Sequence, residues 1–373
     1  MIRDGFDVIN LSVGEPDIAT PAAAVKEAIA AINEGFTKYT EAAGIEPLRK
    51  MVADRARTVL GLHYHPSQVV VSNGGKHSLF NIFMTLLDPG DEVIIPAPYW
   101  VSYPEQVKLA GGLPVIYDAR EEDNFGIDEA RLRSLLTSRT KAILVNSPSN
   151  PTGAVYSRQH LATVARIAQE HDLYVISDEI YDGLNFSRDG HVSIAQYDQD
   201  AFERTIIVNG WSKTYGMTGW RLGYTLSSPA LANAMKEFQG HVTSNVCSIA
   251  QRAAIGALSA AVDADAKSRF IRRRDFMLNG LRNIKGVRCG TPDGAFYVFP
   301  NLQGWINARY GNEVIDSVEV ACEILLRDFH VSIVPGRGFG APNNARLSYA
   351  IAEDRLHEAI RRIQAFVDKL TFS

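Results

Sequence analysis

From Val69 to Thr225 the chain repeats one pattern: an apolar run of four to six residues, then a stretch with apolar residues at helical spacing. The runs are Val69–Ser72, Glu92–Pro96, Leu113–Tyr117, Lys141–Val145, Leu173–Ser177, Thr205–Val208 and Arg221–Thr225. Between them, stretches such as Lys76–Leu87 and Gln159–His171 carry apolar faces of helix period. Short runs of this kind, alternating with helices, imply a mainly parallel sheet covered on both faces. Ligands of such sheets bind beyond the carboxyl ends of the strands, so chemistry is sought where each run stops.

The flanks differ. Val8–Val13 is a short apolar segment that stops at Gly14-Glu15-Pro16-Asp17. Thr20-Pro21 reads as the start of a helix to about Ile32, with Pro21 first in the helix, and Glu46 to Leu60 reads as a second helix. Ala230 to Ile284 reads as one long helical region, and its Arg272-Arg273-Arg274 as a solvated charged face. After residue 287 the strand-like runs Gly294–Phe299, Val331–Pro335 and Ala345–Tyr349 alternate with helices, as in a smaller α+β unit that Val8–Val13 is expected to join. The 373 residues suit two domains, or one with an appendage.

A formal net charge of -4 gives no polyanion-binding surface, so no nucleic-acid partner is expected. No apolar run is long enough for a bilayer, so no membrane partner is expected either. The N-terminus lacks a basic segment followed by an apolar core, and Cys247, Cys289 and Cys322 have no metal-like spacing. These features read as a cytoplasmic protein with reduced thiols and no metal.

Five strand ends carry candidate chemistry. Ser72-Asn-Gly-Gly-Lys76 joins a strand to a helix, where glycines and free N–H groups can receive a phosphate; a plain tight turn is the alternative. Pro98-Tyr99-Trp100 offers aromatics that can stack on a planar ring or fill the core. Ser147–Gly153 holds two prolines that leave Asn150 as the polar group on offer, or is only a rigid turn with a candidate cis Asn150-Pro151 bond. Asp178 stands where a carboxylate can bond a protonated ring nitrogen, with Tyr181 three residues on; capping a turn is the other reading. Lys213 sits among small, apolar and hydroxylic residues, and Arg221 follows eight residues later. Such a lysine loses its proton easily and acts as nucleophile or base, and an arginine fork suits a phosphate. A buried lysine paired with a carboxylate is the bland account of that stretch.

Together these segments resemble the fold-type I, pyridoxal-phosphate-dependent aminotransferases of class I/II, closest to the bacterial aspartate and aspartate/prephenate branch. The motifs are GEPD (14–17), KYTEAAG (38–44), NGGK (73–76), DPGDEV (88–93), PYWVSYPE (98–105), NSPSNPTG (146–153), SDEIY (177–181), SKTYGMTGWRLGY (212–224), GAFYVF (294–299) and ARLSYA (345–350). The resemblance implies a three-layer large domain over 25–275 with a seven-stranded mainly parallel sheet, and a small α+β domain from 1–24 and 276–373. It implies that Lys213 holds the cofactor pyridoxal 5'-phosphate as an aldimine and shuttles the proton. Asp178 would bond the ring nitrogen, Tyr181 and Asn150 the phenolic oxygen, and Trp100 would stack on the ring. Gly74, Gly75, Lys76, Ser212 and Arg221 would bind the phosphate. Tyr39 would reach the phosphate of a second copy, making a homodimer with shared sites. Arg346 would grip the substrate α-carboxylate, beside Asn150, Trp100 and the Gly14 backbone. Lys76 matches a lysine linked to a distal carboxylate, or only flanks the phosphate loop.

The implied reaction moves an amino group between an L-amino acid, best aspartate, and 2-oxoglutarate through a pyridoxamine form. Prephenate, aromatic or neutral amino acids, or carbon–sulfur lysis on the same fold, are the alternatives. Two departures stand out: Gly210 replaces a serine common in the family, and the chain starts about one strand before GEPD, where relatives carry an added helix and arm.

Overall fold

A computed structural model describes residues 3 to 372 apart from 4, 261, 262 and 264. Part of the N-terminal segment read for a leader, and part of the long helical region, therefore lie outside the described residues. The first elements are β1 (Ile9–Asn10), α1 (Ala22–Asn33), α2 (Glu46–Leu60), β2 (Val69–Ser72) and α3 (Gly75–Leu86). Then come β3 (Glu92–Ala97), α4 (Ser102–Leu109), β4 (Leu113–Asp118), α5 (Glu129–Ser134), β5 (Thr140–Asn146), α6 (Arg158–Glu170) and β6 (Tyr174–Asp178). They are followed by α7 (Gln199–Arg204), β7 (Thr205–Gly210), β8 (Gly223–Leu226), α8 (Pro229–Val242), α9 (Ser248–Ser259) and α10 (Ala266–Arg282). The remainder holds short strands, α11 (Val318–Phe329) and α12 (Glu353–Val367).

The expected seven-stranded sheet is present, in the order β2-β8-β7-β6-β5-β3-β4. β4, β3, β5, β6 and β7 run parallel, while β8 is antiparallel to both β7 and β2. All residues of β2, β3, β6 and β7 are buried except Tyr174, which is why their sequences read as unbroken apolar runs. β1 pairs in parallel with Val331–Ser332. Ile9 and Leu11 share a core with residues that come mainly from Ala266 onward, whereas residues 24 to 257 build three other apolar clusters.

Four local readings are corrected. The last run begins as a strand only at Gly223, because Arg221 takes a left-handed φ of 55°. Pro21 is the N-cap of α1 and not its first residue. The long helical region is divided into α8, α9 and α10, with Ser244 at φ 59° in the first break. Arg273 is buried and pairs with Asp17 at 2.8 Å, so only part of the arginine triplet is a solvated face.

One glycine joins fold to site. A Cβ at Gly223 would lie 2.3 Å from the Gly75 nitrogen, at the first turn of α3. Gly223→Ala is expected to destabilise the chain by about 1–3 kcal/mol. Denaturant unfolding measures it, and a midpoint equal to that of the unsubstituted chain would contradict this packing.

Candidate active site

Five strands of the sheet deliver side chains to one cavity of ≈ 620 Å³. β2 is followed by Gly75 and Lys76, β3 by Trp100 and Tyr103, β5 by Asn150, β6 ends in Asp178 before Tyr181, and β7 is followed by Ser212 and Lys213. β8 runs the other way, so its entry and not its exit is at this edge, and Arg221 comes just before it. From outside the sheet, Gly14 and Arg346 close the cavity. Of the sequence-derived set, Gly74 lies just behind the lining against Arg221. Tyr39 is 90% exposed and does not line the cavity.

Lys213 is at the centre. Its Nζ donates to the Gly14 carbonyl at 2.5 Å. Burial pushes its pKa down to about 8, the charges of Arg346 and Arg221 push the same way, and Glu15 and Asp178 oppose them. A sign follows for the ligand-free protein. Only the neutral amine attacks an electrophile, so labelling of Lys213 by an amine reagent is expected to rise with pH through about 8 and then level off. Peptide mass spectrometry reads it; a midpoint near the ordinary lysine value would contradict the burial of this group.

Asp178 is 5% exposed. Burial raises its pKa to about 6, against the opposing hydrogen bonds from Tyr103 and the Ile180 N–H. Tyr103 Oη donates to Oδ2 at 2.7 Å and Ile180 N donates to Oδ1 at 3.1 Å. A buried carboxylate held this way gains from a cation beside it. Tyr181 and Tyr297 share a hydrogen bond between hydroxyls at 3.0 Å, and burial raises the Tyr181 phenol well above its ordinary pKa.

At the other end, the Arg346 guanidinium donates from Nη1 to Asn150 Oδ1 at 3.0 Å and from Nη2 to the Ser12 carbonyl at 2.8 Å. Its Nε is buried with no partner. The group lies 4.6 Å from the Tyr297 ring centroid and 5.1 Å from that of Phe339. Asn150 is fixed in turn, its backbone N–H donating to Asn146 Oδ1 at 2.9 Å. The Asn150–Pro151 bond is cis.

The third anchor is a cradle at the start of α3. Gly74 has φ 84°, and a Cβ there would lie 2.6 Å from Arg221 Nη2. Only glycine lets the guanidinium stand this close to the start of α3, where an anion could meet both the arginine and the helix N-terminus. Ser212 is beside it in the lining, and Lys76 Nζ stands 4.8 Å from the Trp100 ring centroid. No serine fits at Gly210, because its Cβ would sit 2.7 Å from the Leu222 carbonyl.

Sequence reasoning assigned no role to Tyr103, Tyr297, Asn146 or Thr218, the last of which lines the cavity and donates from its hydroxyl to Glu15 Oε1. Tyr103 carried one usable signal: it stands three residues after Trp100, across the turn that leads into α4, and the two rings meet edge-on at 5.3 Å. The other three are placed only by tertiary packing.

The arrangement offers a depressed-pKa amine, a buried anion, an anion cradle and a buried arginine fork. The sequence profile described as Aminotransferase class I and II matches residues 7–363. The aspartate aminotransferase of Bacillus subtilis (strain 168) is 44% identical over 367 residues, covering 98% of this chain and 92% of that protein. The aspartate/prephenate aminotransferase of Cereibacter sphaeroides is 44% identical over 366 residues, covering 97% and 92%. Among solved structures, the aspartate aminotransferase of Rhizobium meliloti superposes with a TM-score of 0.96 at 39% identity, covering 100% of this chain and 94% of that one. A Thermus thermophilus aspartate aminotransferase double mutant gives 0.92 at 40% identity, covering 98% and 93%.

Proposed function

Since the chain belongs to the aminotransferase class I and II family and is an aminotransferase, we propose that it uses pyridoxal 5'-phosphate to move amino groups between L-aspartate and 2-oxoglutarate. The observation that carries this reading is the single cavity in which the Lys213 amine, the Asp178 carboxylate and the Arg221 cradle face one another. The donor set fits the cofactor. The glycine cradle with Arg221 and Ser212 suits a dianionic phosphate, Trp100 suits a ring face, and the anion of Asp178 suits a protonated ring nitrogen.

When bound, the cofactor supplies an aldehyde carbon for the amino nitrogen and a ring that takes up the electrons released at Cα. The protein supplies the rest. Lys213, kept partly neutral by burial, would accept the proton from the substrate Cα and hold it at its Nζ. Asp178, buried and oriented by Tyr103, would hold a negative charge at the ring nitrogen. Tyr181 and Asn150 offer polar groups for the phenolic oxygen. Arg346 turns its fork to the α-carboxylate, with Asn150 and the Ser12 carbonyl holding it in plane.

The names of the relatives support aspartate as donor, with prephenate chemistry as the second reading, and do not favour a carbon–sulfur lyase. Lys76, in the lining beside Trp100, suits a second carboxylate. Purified protein given aspartate, 2-oxoglutarate and cofactor is expected to form glutamate. Lys76→Ala is expected to lower aspartate turnover about tenfold or more and leave alanine turnover little changed. Equal losses would remove Lys76 from side-chain reading. Pyruvate and ammonia released from cysteine without an oxo acid would favour lysis instead.

We extend the proposal to a homodimer in which Tyr39 reaches the phosphate of the second copy; its exposure supports this. A division into a large unit over 25–275 and a small one from 1–24 and 276–373 is supported by the separate apolar clusters. No helix among the described residues is long and apolar enough to cross a membrane. The three unpaired cysteines support a cytoplasmic setting.

A further inference from the structure

The residues immediately after Tyr181 and Lys213 turn away from the cavity and meet each other. Thr214 Oγ1 donates to Asp182 Oδ1 at 3.2 Å, and both side chains are buried. A Cβ at Gly183 would lie 2.4 Å from Thr214 Cγ2, so the missing side chain leaves the space that the threonine methyl fills. The other oxygen of Asp182 accepts from Arg55 Nη2 at 2.6 Å, and Arg55 Nη1 reaches the Tyr224 hydroxyl at 3.4 Å. Arg55 belongs to α2 and Tyr224 to β8. A helix, a sheet strand and the two loops that carry Tyr181 and Lys213 are thus tied at one buried carboxylate. None of Arg55, Asp182, Gly183 or Thr214 lines the cavity, and the reaction described above uses none of them.

A buried carboxylate is costly without partners, and removing one partner leaves the other exposed to that cost. Such a satisfied network is rigid. Lysine, by contrast, is a flexible stem, and a misplacement of about 1 Å at a reacting centre costs up to about a hundredfold in rate. We propose that Thr214, bonded to Asp182 and wedged against Gly183, is a positioning residue that fixes where the Lys213 amine stands in the cavity. The inference rests on the reading of Lys213 as the reacting amine.

The charged groups that face Lys213 are Glu15, Asp178, Arg221 and Arg346, and the variants below alter none of them. The full chain, freed of ligand, is labelled with fluorodinitrobenzene across a pH series, and modification of Lys213 is read by peptide mass spectrometry. In Thr214→Val the shape is kept and the hydroxyl lost. The loosened amine finds water, so its labelling midpoint is expected to rise by about half a unit or more. With cofactor, kcat is expected to fall about tenfold with KM changed less than about twofold. Thr214→Ser, which keeps the hydroxyl, is expected to restore both. Gly183→Ala displaces the threonine from the opposite side and is expected to raise the midpoint as well, which gives a second route if the valine variant does not fold. A midpoint and kcat in Thr214→Val equal to those of the unsubstituted chain would overturn the proposal, as would a serine variant that behaves like the valine one. An unsubstituted chain that shows the titration and its dependence on Thr214 but no amino transfer would sink the transaminase reading alone. A transaminase whose Lys213 midpoint ignores Thr214 would sink this inference alone.

Discussion

Lys213→Ala is expected to lower kcat by about 10⁴-fold, with the protein still folded. On the proposed function two roles would be lost together, the amine that bonds the carbonyl carbon and the base that takes the Cα proton. No other amine replaces it. Lys76, the other lysine in the lining, sits over Trp100. Nor is the fold expected to suffer, because the lost group is a half-buried lysine that donates to the Gly14 carbonyl. Single-turnover measurement of oxo-acid formation, with a thermal melt alongside, separates the two. A folded variant turning over within tenfold of the unsubstituted protein would remove Lys213 from the centre of the reaction.

Arg346→Ala is expected to lower kcat/KM for the amino acid by about 10²–10³-fold, as loss of one partner from a buried charge pair generally does. The guanidinium has two of its donors committed, to Asn150 and the Ser12 carbonyl, and Nε unpaired and buried. An incoming carboxylate relieves that unpaired group as well as meeting the charge. Arg346→Lys is expected to recover little, since a point charge cannot span the same planar contacts. Steady-state kinetics with aspartate and with alanine checks this. The α-carboxylate is common to both, so the two losses are expected to match. A loss confined to aspartate would move Arg346 from the α-carboxylate to the side chain.

The sheet was legible because both of its faces are covered, which turns stretches such as Val69–Ser72 and Thr205–Val208 into apolar runs. Asp178, Asn150 and Lys213 were legible for a related reason: a polar residue just beyond such a run stands at the ligand edge. Arg221 was found as a group but misplaced as structure. Its apolar neighbours Leu222, Tyr224 and Leu226 look like a strand, and composition does not record a φ of 55°. Tyr103 and Tyr297 were not assigned because their worth lies in what they touch, Asp178 75 residues away and Tyr181 116 residues away. Arg273 misled because a charge run on a helix is ordinarily solvated, and its partner Asp17 is remote in sequence.

The hydrogen bonds of Lys213 to Gly14 and of Arg346 to Ser12 span 199 and 334 residues. The cavity is therefore closed by contacts between segments that leave the ribosome far apart in time. Contacts of such long sequence separation form late, after the loop-closing entropy has been overcome. A growing chain contains Lys213 and the strands of its sheet before it contains Arg346. Competence to bind an amino acid then reports that the last long-range contacts have formed, which makes ligand binding a test of complete folding as well as of chemistry.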